Sequence, residues 1–219
     1  MKISGAIFDM DGTLVDSLML WEILWEAFGK KFCDGRPFSP SEEDDKAVRT
    51  LPLKNAMELL FEHYSIGESG EELLRVANEI IEEFYANSVQ LKPGVREFLE
   101  DCVAKDVKMC IASATSPDLI RVALRHCGIA QYFSKIFSCG VLGKGKDVPD
   151  IYWMALDFLG TKQEETWVVE DSLVALETAH RAGFPTVGIY DRYNFGQEKI
   201  KTIVTEYIAP GETLERLLD

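Results

Sequence analysis

Asp9 and Asp11 stand one residue apart in the stretch IFDMDGTLVDS, at the end of an apolar run and directly before Gly12. Crowded carboxylates repel each other and lose hydration. A pair at the mouth of a buried strand therefore calls for partners from elsewhere in the chain. Candidates stand at the ends of other apolar runs. VKMCIAS ends in Ser113, with Ala114 and Thr115 beyond; the loop after KIFS carries Lys144 and Lys146; TWVVED ends in Glu170 and Asp171. Each has an ordinary explanation when taken alone. An Asp-x-Asp after a strand is often a solvated turn, Ser113 is a natural cap or turn residue, and VVED is a natural strand end before a capped helix. VLGKGK does not complete the GxxxxGK[ST] pattern of a phosphate loop. What points to chemistry is the joint occurrence of four acids, a hydroxyl and a lysine, in this order, at strand ends.

For these residues to meet, the elements carrying them must share one rim. Residues 3–8 (ISGAIF) read as a buried strand. From Asp16 the apolar period changes: Trp21, Trp25, Phe28 and Phe32 recur at helical spacing, three of them expected to pack in a core. DGRPFSPSEEDD breaks the pattern, Ser41 is a suitable N-cap for a second helix, and LPLKNAMELLFEHY and GEELLRVANEIIEEFYANS supply two more. After LKPGV, strands and helices alternate: a helix over about 94–105, the strand VKMCIAS, a helix over about 117–127, the strand KIFS, a loop CGVLGKGKDVP and the helix DIYWMALDFLG. TWVVED, the helix SLVALETAHRAG, PTVGIY, a short EYIAP and a C-terminal helix follow. Such alternation predicts an α/β fold with a parallel sheet, and in open parallel sheets ligands bind beyond the carboxyl ends of the strands. The expected organisation is an α/β core of residues 1–15 and 90–219, interrupted by an all-helical domain of residues 16–89.

Composition narrows the partners. The chain has 219 residues, 47% of them hydrophobic, and a formal net charge of −14 with no basic block. That argues against nucleic acid and anionic membrane as partners; a phosphorylated metabolite stays open, since a metal and a lysine can reverse the local field. The apolar runs are too short to span a bilayer, and no basic region followed by a long apolar one marks a signal peptide. Cys33, Cys102, Cys110, Cys127 and Cys139 are odd in number and form no CxxC pair, as expected of reduced thiols in a cytoplasmic protein. His63, His126 and His180 have no second ligand at metal spacing and are expected to be structural or exposed.

The quoted motifs resemble those of the haloacid dehalogenase superfamily of phosphoryl-transfer enzymes. Within it, the chain is similar to the helical-cap branch of phosphoglycolate-phosphatase-like and β-phosphoglucomutase-like proteins. DMDGTLVDS matches the first motif, IASAT the second through Ser113, GKGKDVPDIY the third through Lys146, and VVEDSLVALETAHRAG the fourth through Glu170 and Asp171. The match spans essentially the whole chain. Asp147 departs from a usual proline and Ala175 from a usual glycine. The resemblance implies a Rossmann-like core with an inserted helical cap that closes over the site and selects the leaving group. It implies Asp9 as nucleophile, forming an aspartyl-phosphate, and Asp11 as general acid and later general base. Mg²⁺ would be held by Asp9, by Asp11 through its backbone carbonyl, by Asp171 and by Glu170. Gly12, Ser113, Ala114 and Lys146 would hold the phosphate, with Gly12 leaving the chain free to turn sharply.

The activity so implied is a Mg²⁺-dependent phosphatase of a small phosphorylated metabolite, acting as a monomer or weak homodimer; the alternative is a β-phosphoglucomutase-like sugar-phosphate mutase. Glutamate at position 170 leans toward the mutases, whereas many of the phosphatases carry glycine there. The mutases also carry a histidine in the first cap helix where this chain has Trp21. A dehalogenase needs no acid at the place of Asp11, and a phosphoryl-accepting receiver module lacks a helical insert. Arg49, Lys54 and Asn55 are candidate substrate contacts in the cap, or simply surface polar residues.

Overall fold

Gly5–Phe8 (β1) is buried at every position, as a strand covered on both sides must be. In the computed structural model, which describes residues 2–49 and 51–217, this strand is the centre of the molecule's main sheet. The ribbon Val15–Asp16 (β2) follows. The helices Leu20–Phe32 (α1), Glu42–Val48 (α2), Leu53–Tyr64 (α3) and Gly70–Asn87 (α4) come next, then Gln90–Leu91 (β3), antiparallel to β2. Beyond lie Val95–Ala104 (α5), Lys108–Ser113 (β4), Pro117–His126 (α6), Ile136–Ser138 (β5), Cys139–Leu142 (α7) and Asp150–Leu159 (α8). Thr166–Glu170 (β6), Leu173–Arg181 (α9), Thr186–Ile189 (β7), Gln197–Ile203 (α10) and Glu206–Ile208 (β8) complete the set, with a 3₁₀ turn at Leu214–Leu217.

Six strands pair in the order β5-β4-β1-β6-β7-β8, every pair parallel. From β1 the sheet grows one way through β4 and the other way through β6. That reversal opens a crevice at the carboxyl end of β1. The core beneath it joins Ile7, Cys110, Ala112 and Val168 of the strands to Ile151, Tyr152 and Ala155 of α8, with Ala179 and Phe184. Phe8, fully buried, meets Phe98 and Phe133 edge-on at 6.1 and 5.8 Å.

The chain divides into two compact units, one of Met19–Ser88 and one of the remainder. The first is all-helical. Ser41 caps α2, its hydroxyl accepting from the Asp44 N–H, and Ser69 caps α4 through Glu72. Its interior is aromatic: Trp25 and Phe28 are buried, and both rings lie against Phe38.

Three elements differ from the sequence expectation. Helix α1 begins at Leu20 rather than near Asp16, because Val15 and Asp16 are drawn into the ribbon with β3. The supposed loop after β5 opens with the one-turn helix α7, which ends on Gly143 at φ 72°, a conformation that favours glycine. The C-terminal helix is only a 3₁₀ turn as far as Leu217; the last two positions lie outside the described residues. Among the described residues no helix is long and apolar enough to cross a membrane.

Candidate active site

Register brings the separated acids level. Phe8 pairs with Ile111 of β4 and Val169 of β6. Asp9 therefore stands beside Ala112 and Glu170, one step before Ser113 and Asp171. Its N–H donates to the Val169 carbonyl at 3.0 Å, which fixes the backbone there.

Lys146 reaches this rim from the segment between α7 and α8. Its Nζ donates to Asp9 Oδ1 at 2.7 Å and to Glu170 Oε1, with only 11% of its side chain exposed. Burial opposes charge on the amine, but the Asp9 and Glu170 carboxylates outweigh it and hold Lys146 well above the ordinary lysine value. Glu170 spends its other oxygen on the N–H groups of Asp171 and Ser172, each at 3.0 Å. Burial raises the Glu170 carboxyl, against the pull of Lys146. Asp171 is driven well above the usual carboxylate range, first by burial and then by Glu170 and Asp9. Its Oδ1 accepts from Thr13 Oγ1 at 2.9 Å, and its Oδ2 from the Asn194 amide.

Gly12 lies against Asp171. Its φ is 73°, and a Cβ there would stand 2.2 Å from Asp171 Oδ2, so both conformation and space demand glycine. Its N–H donates to the Val15 carbonyl at 3.0 Å, closing the turn after β1. Asp11 faces another way: Ser17 Oγ donates to its Oδ1 at 2.6 Å and Thr115 Oγ1 to its Oδ2 at 2.7 Å. Ser113 is buried at the end of β4, where its Oγ accepts from the Thr115 N–H at 3.2 Å, and Ala114 beside it is exposed. Lys144 pairs with Asp150 in solvent and joins none of this.

Asp9, Glu170 and Asp171 each present a carboxylate oxygen within 4.8 Å of the others. Lys146 pairs with two of these buried acids, Asp9 and Glu170, while Asp171 has only the neutral donors Thr13 and Asn194 on its oxygens, and all three acids offer hard oxygens. That set fits a small divalent cation.

The sequence pattern of the haloacid dehalogenase-like hydrolases matches residues 6–189. The chain belongs to that family. It is 26% identical over 216 residues to a phosphorylated carbohydrates phosphatase of Thermotoga maritima, covering 98% of each chain. A candidate pseudouridine-5′-phosphatase of Drosophila melanogaster is 31% identical over 209 residues, 90% of this chain and 86% of that one. Among solved structures, a candidate β-phosphoglucomutase of Thermotoga maritima superposes with a TM-score of 0.82 at 27% identity, covering 99% of this chain and 98% of that one. CbbY from Rhodobacter sphaeroides in complex with phosphate shares the fold at a TM-score of 0.76 and 22% identity, over 94% and 93% of the two chains.

Several contacts of the site escaped the sequence reading. Thr13 lies inside the first motif, but nothing local says that its hydroxyl meets an acid 158 positions away. Ser17 and Thr115 close the first and second motifs, but nothing local says that both hydroxyls meet one carboxylate. Asn194 has no motif at all and lies beyond the stretch that the family pattern matches.

Proposed function

We propose that this family member is a Mg²⁺-dependent phosphatase of a small phosphorylated metabolite, working through an aspartyl-phosphate on Asp9. The observation that carries the reading is the convergence of Asp9, Lys146, Glu170 and Asp171 at adjoining strand ends. Lys146 fixes one oxygen of Asp9, so the carboxylate is aimed before substrate arrives. An oxygen of Asp9 attacks phosphorus while the bond from phosphorus to the ester oxygen breaks; Asp11 gives its proton to the departing alkoxide. Asp11 then takes a proton from water, whose oxygen attacks phosphorus and frees Asp9 and inorganic phosphate. Ser17 and Thr115 orient the Asp11 carboxylate for these transfers. Ser113, Ala114, Gly12 and Lys146 form the phosphate cradle, Gly12 by letting the turn pass close to Asp171. Asp9, Asp171 and the Asp11 carbonyl would hold the cation, with Glu170 bridging to Lys146. When bound, it supplies charge neutralisation for the crowded acids and an incoming phosphate.

The named phosphatases among the relatives support hydrolysis, and Trp21 supports it over mutase chemistry. An indole neither accepts a hydrogen bond nor exchanges a proton near neutral pH. This one lies against Trp25, ring centroids 5.5 Å apart, with the Arg49 guanidinium 5.8 Å from it. The free state of all five cysteines suits the cytoplasm, and the acidic surface suits a monomer or weak homodimer with no nucleic-acid or membrane partner. The deciding experiment is phosphate release from an aryl phosphate and from a panel of phosphorylated metabolites, with and without chelator. Release that persists in chelator, or none with any substrate, overturns the reading.

A further inference from the structure

Asp171 is 3% exposed, yet both of its carboxylate oxygens are occupied: Thr13 holds one and Asn194 the other. The same Asn194 amide also donates to the Asp171 backbone carbonyl at 3.2 Å. Side chain and main chain of one acid are thus gripped from a single point, on the loop between β7 and α10. An amide suits that task because it donates without bringing charge. A lysine there would neutralise Asp171 and compete with any cation.

The loop is itself anchored. Asp191, 3% exposed, accepts from Lys92 Nζ at 2.7 Å and from the Tyr193 N–H at 2.9 Å. Its carbonyl accepts from the Asn194 N–H and from Gln197 Nε2, both at 3.2 Å. Lys92 also donates to the Tyr190 carbonyl at 3.1 Å, and its own N–H bonds to the Leu14 carbonyl at 3.0 Å. Asn194 is therefore placed by a buried ion pair rather than by a free loop.

We propose that Asn194 is a positioning residue for Asp171, through which the β7–α10 loop sets the affinity of the acidic rim for its divalent cation. The inference rests on the reading of Asp9 and Asp171 as cation ligands.

The test is direct binding of Mn²⁺, a hard-oxygen stand-in for Mg²⁺, followed by paramagnetic resonance without substrate. Asn194→Ala should weaken Mn²⁺ binding by about tenfold or more, the range seen when partners of metal ligands are lost, while Phe195→Ala, exposed on the same loop, should leave it within about twofold. At saturating metal, the KM of Asn194→Ala for an aryl phosphate should be unchanged. If that variant does not melt cooperatively, Asn194→Ser, a small donor that cannot reach both acceptors, carries the same test. Binding by the Asn194 variant at the wild-type level overturns the inference alone. So does an equal loss in Phe195→Ala, which would assign the effect to the loop and not to the amide. Wild-type protein that binds no Mn²⁺ overturns the cation reading and this inference with it.

Discussion

In the helical unit, charged side chains pair with near neighbours in water: Lys30 with Glu26, Lys46 with Glu42, Arg75 with Glu79, each one turn apart. At the strand-end rim they pair across the chain and out of water. Lys146 meets Asp9 over 137 positions, and Thr115 meets Asp11 over 104. The first kind is screened by solvent, contributes little and is replaceable. The second contributes little net stability when intact, yet losing one partner leaves a buried charge uncompensated, at about 3–5 kcal/mol. The helical unit is held by rings such as Trp25, Phe28 and Phe38. At the rim, burial raises the Glu170 and Asp171 carboxyls, and neighbouring carboxylates push the same way.

The largest effect that tests this contrast is Asp9→Asn. The amide has the size of the acid but cannot attack phosphorus, so turnover should fall by about three orders of magnitude or more while the protein still folds. Activity above about a tenth of wild type, with purity controlled, would remove Asp9 as nucleophile.

Lys146→Ala comes next. It strips the ammonium from Asp9 and Glu170, and both turnover and stability should suffer, turnover by about a hundredfold. Lys144→Ala, two residues away but paired with exposed Asp150, should change stability and turnover hardly at all. Equal effects of the two would erase the distinction between rim and surface.

A smaller loss is expected from Asp171→Asn. Removing one anionic oxygen donor should raise the Mg²⁺ concentration for half-maximal activity by about tenfold, with turnover largely recovered at high metal. Ca²⁺ should not substitute, because it prefers more ligands at longer distances than Mg²⁺ does. Metal titrations of wild type and variant, with either ion, read both points.

How far the rim could be read in advance follows from the same contrast. Asp9, Ser113 and Glu170 were legible because each ends an apolar run, and a strand's end is written locally. The parallel sheet was legible for a similar reason: β1, β4 and β6 each carry a short buried apolar run, as doubly covered strands must. Gly12 was legible as a turn glycine, but its nearness to Asp171 was not. Thr13 and Asn194 carry no local signal of their role, since it lies wholly in a partner far along the chain. Helix α7 was missed because four residues cannot display a period.

The smallest effect is expected in the helical unit, at Trp21. If this position only packs, as its contacts with Trp25 and Arg49 suggest, then Trp21→His should leave phosphate release within about threefold of wild type, a change of the order of 0.5 kcal/mol. Giving this chain the histidine that the mutases carry should not make it a mutase. A mutase must keep water from its aspartyl-phosphate until a second sugar hydroxyl arrives, and one imidazole cannot supply that exclusion. Both proteins would be incubated with β-glucose 1-phosphate, Mg²⁺ and a trace of the bisphosphate, following free phosphate and glucose 6-phosphate together. Phosphate without accumulating glucose 6-phosphate is expected from each. Efficient conversion to glucose 6-phosphate by the wild type would replace hydrolysis with mutase chemistry. Conversion by Trp21→His alone would show that one residue of the helical unit, and not the rim, decides where the phosphoryl group goes.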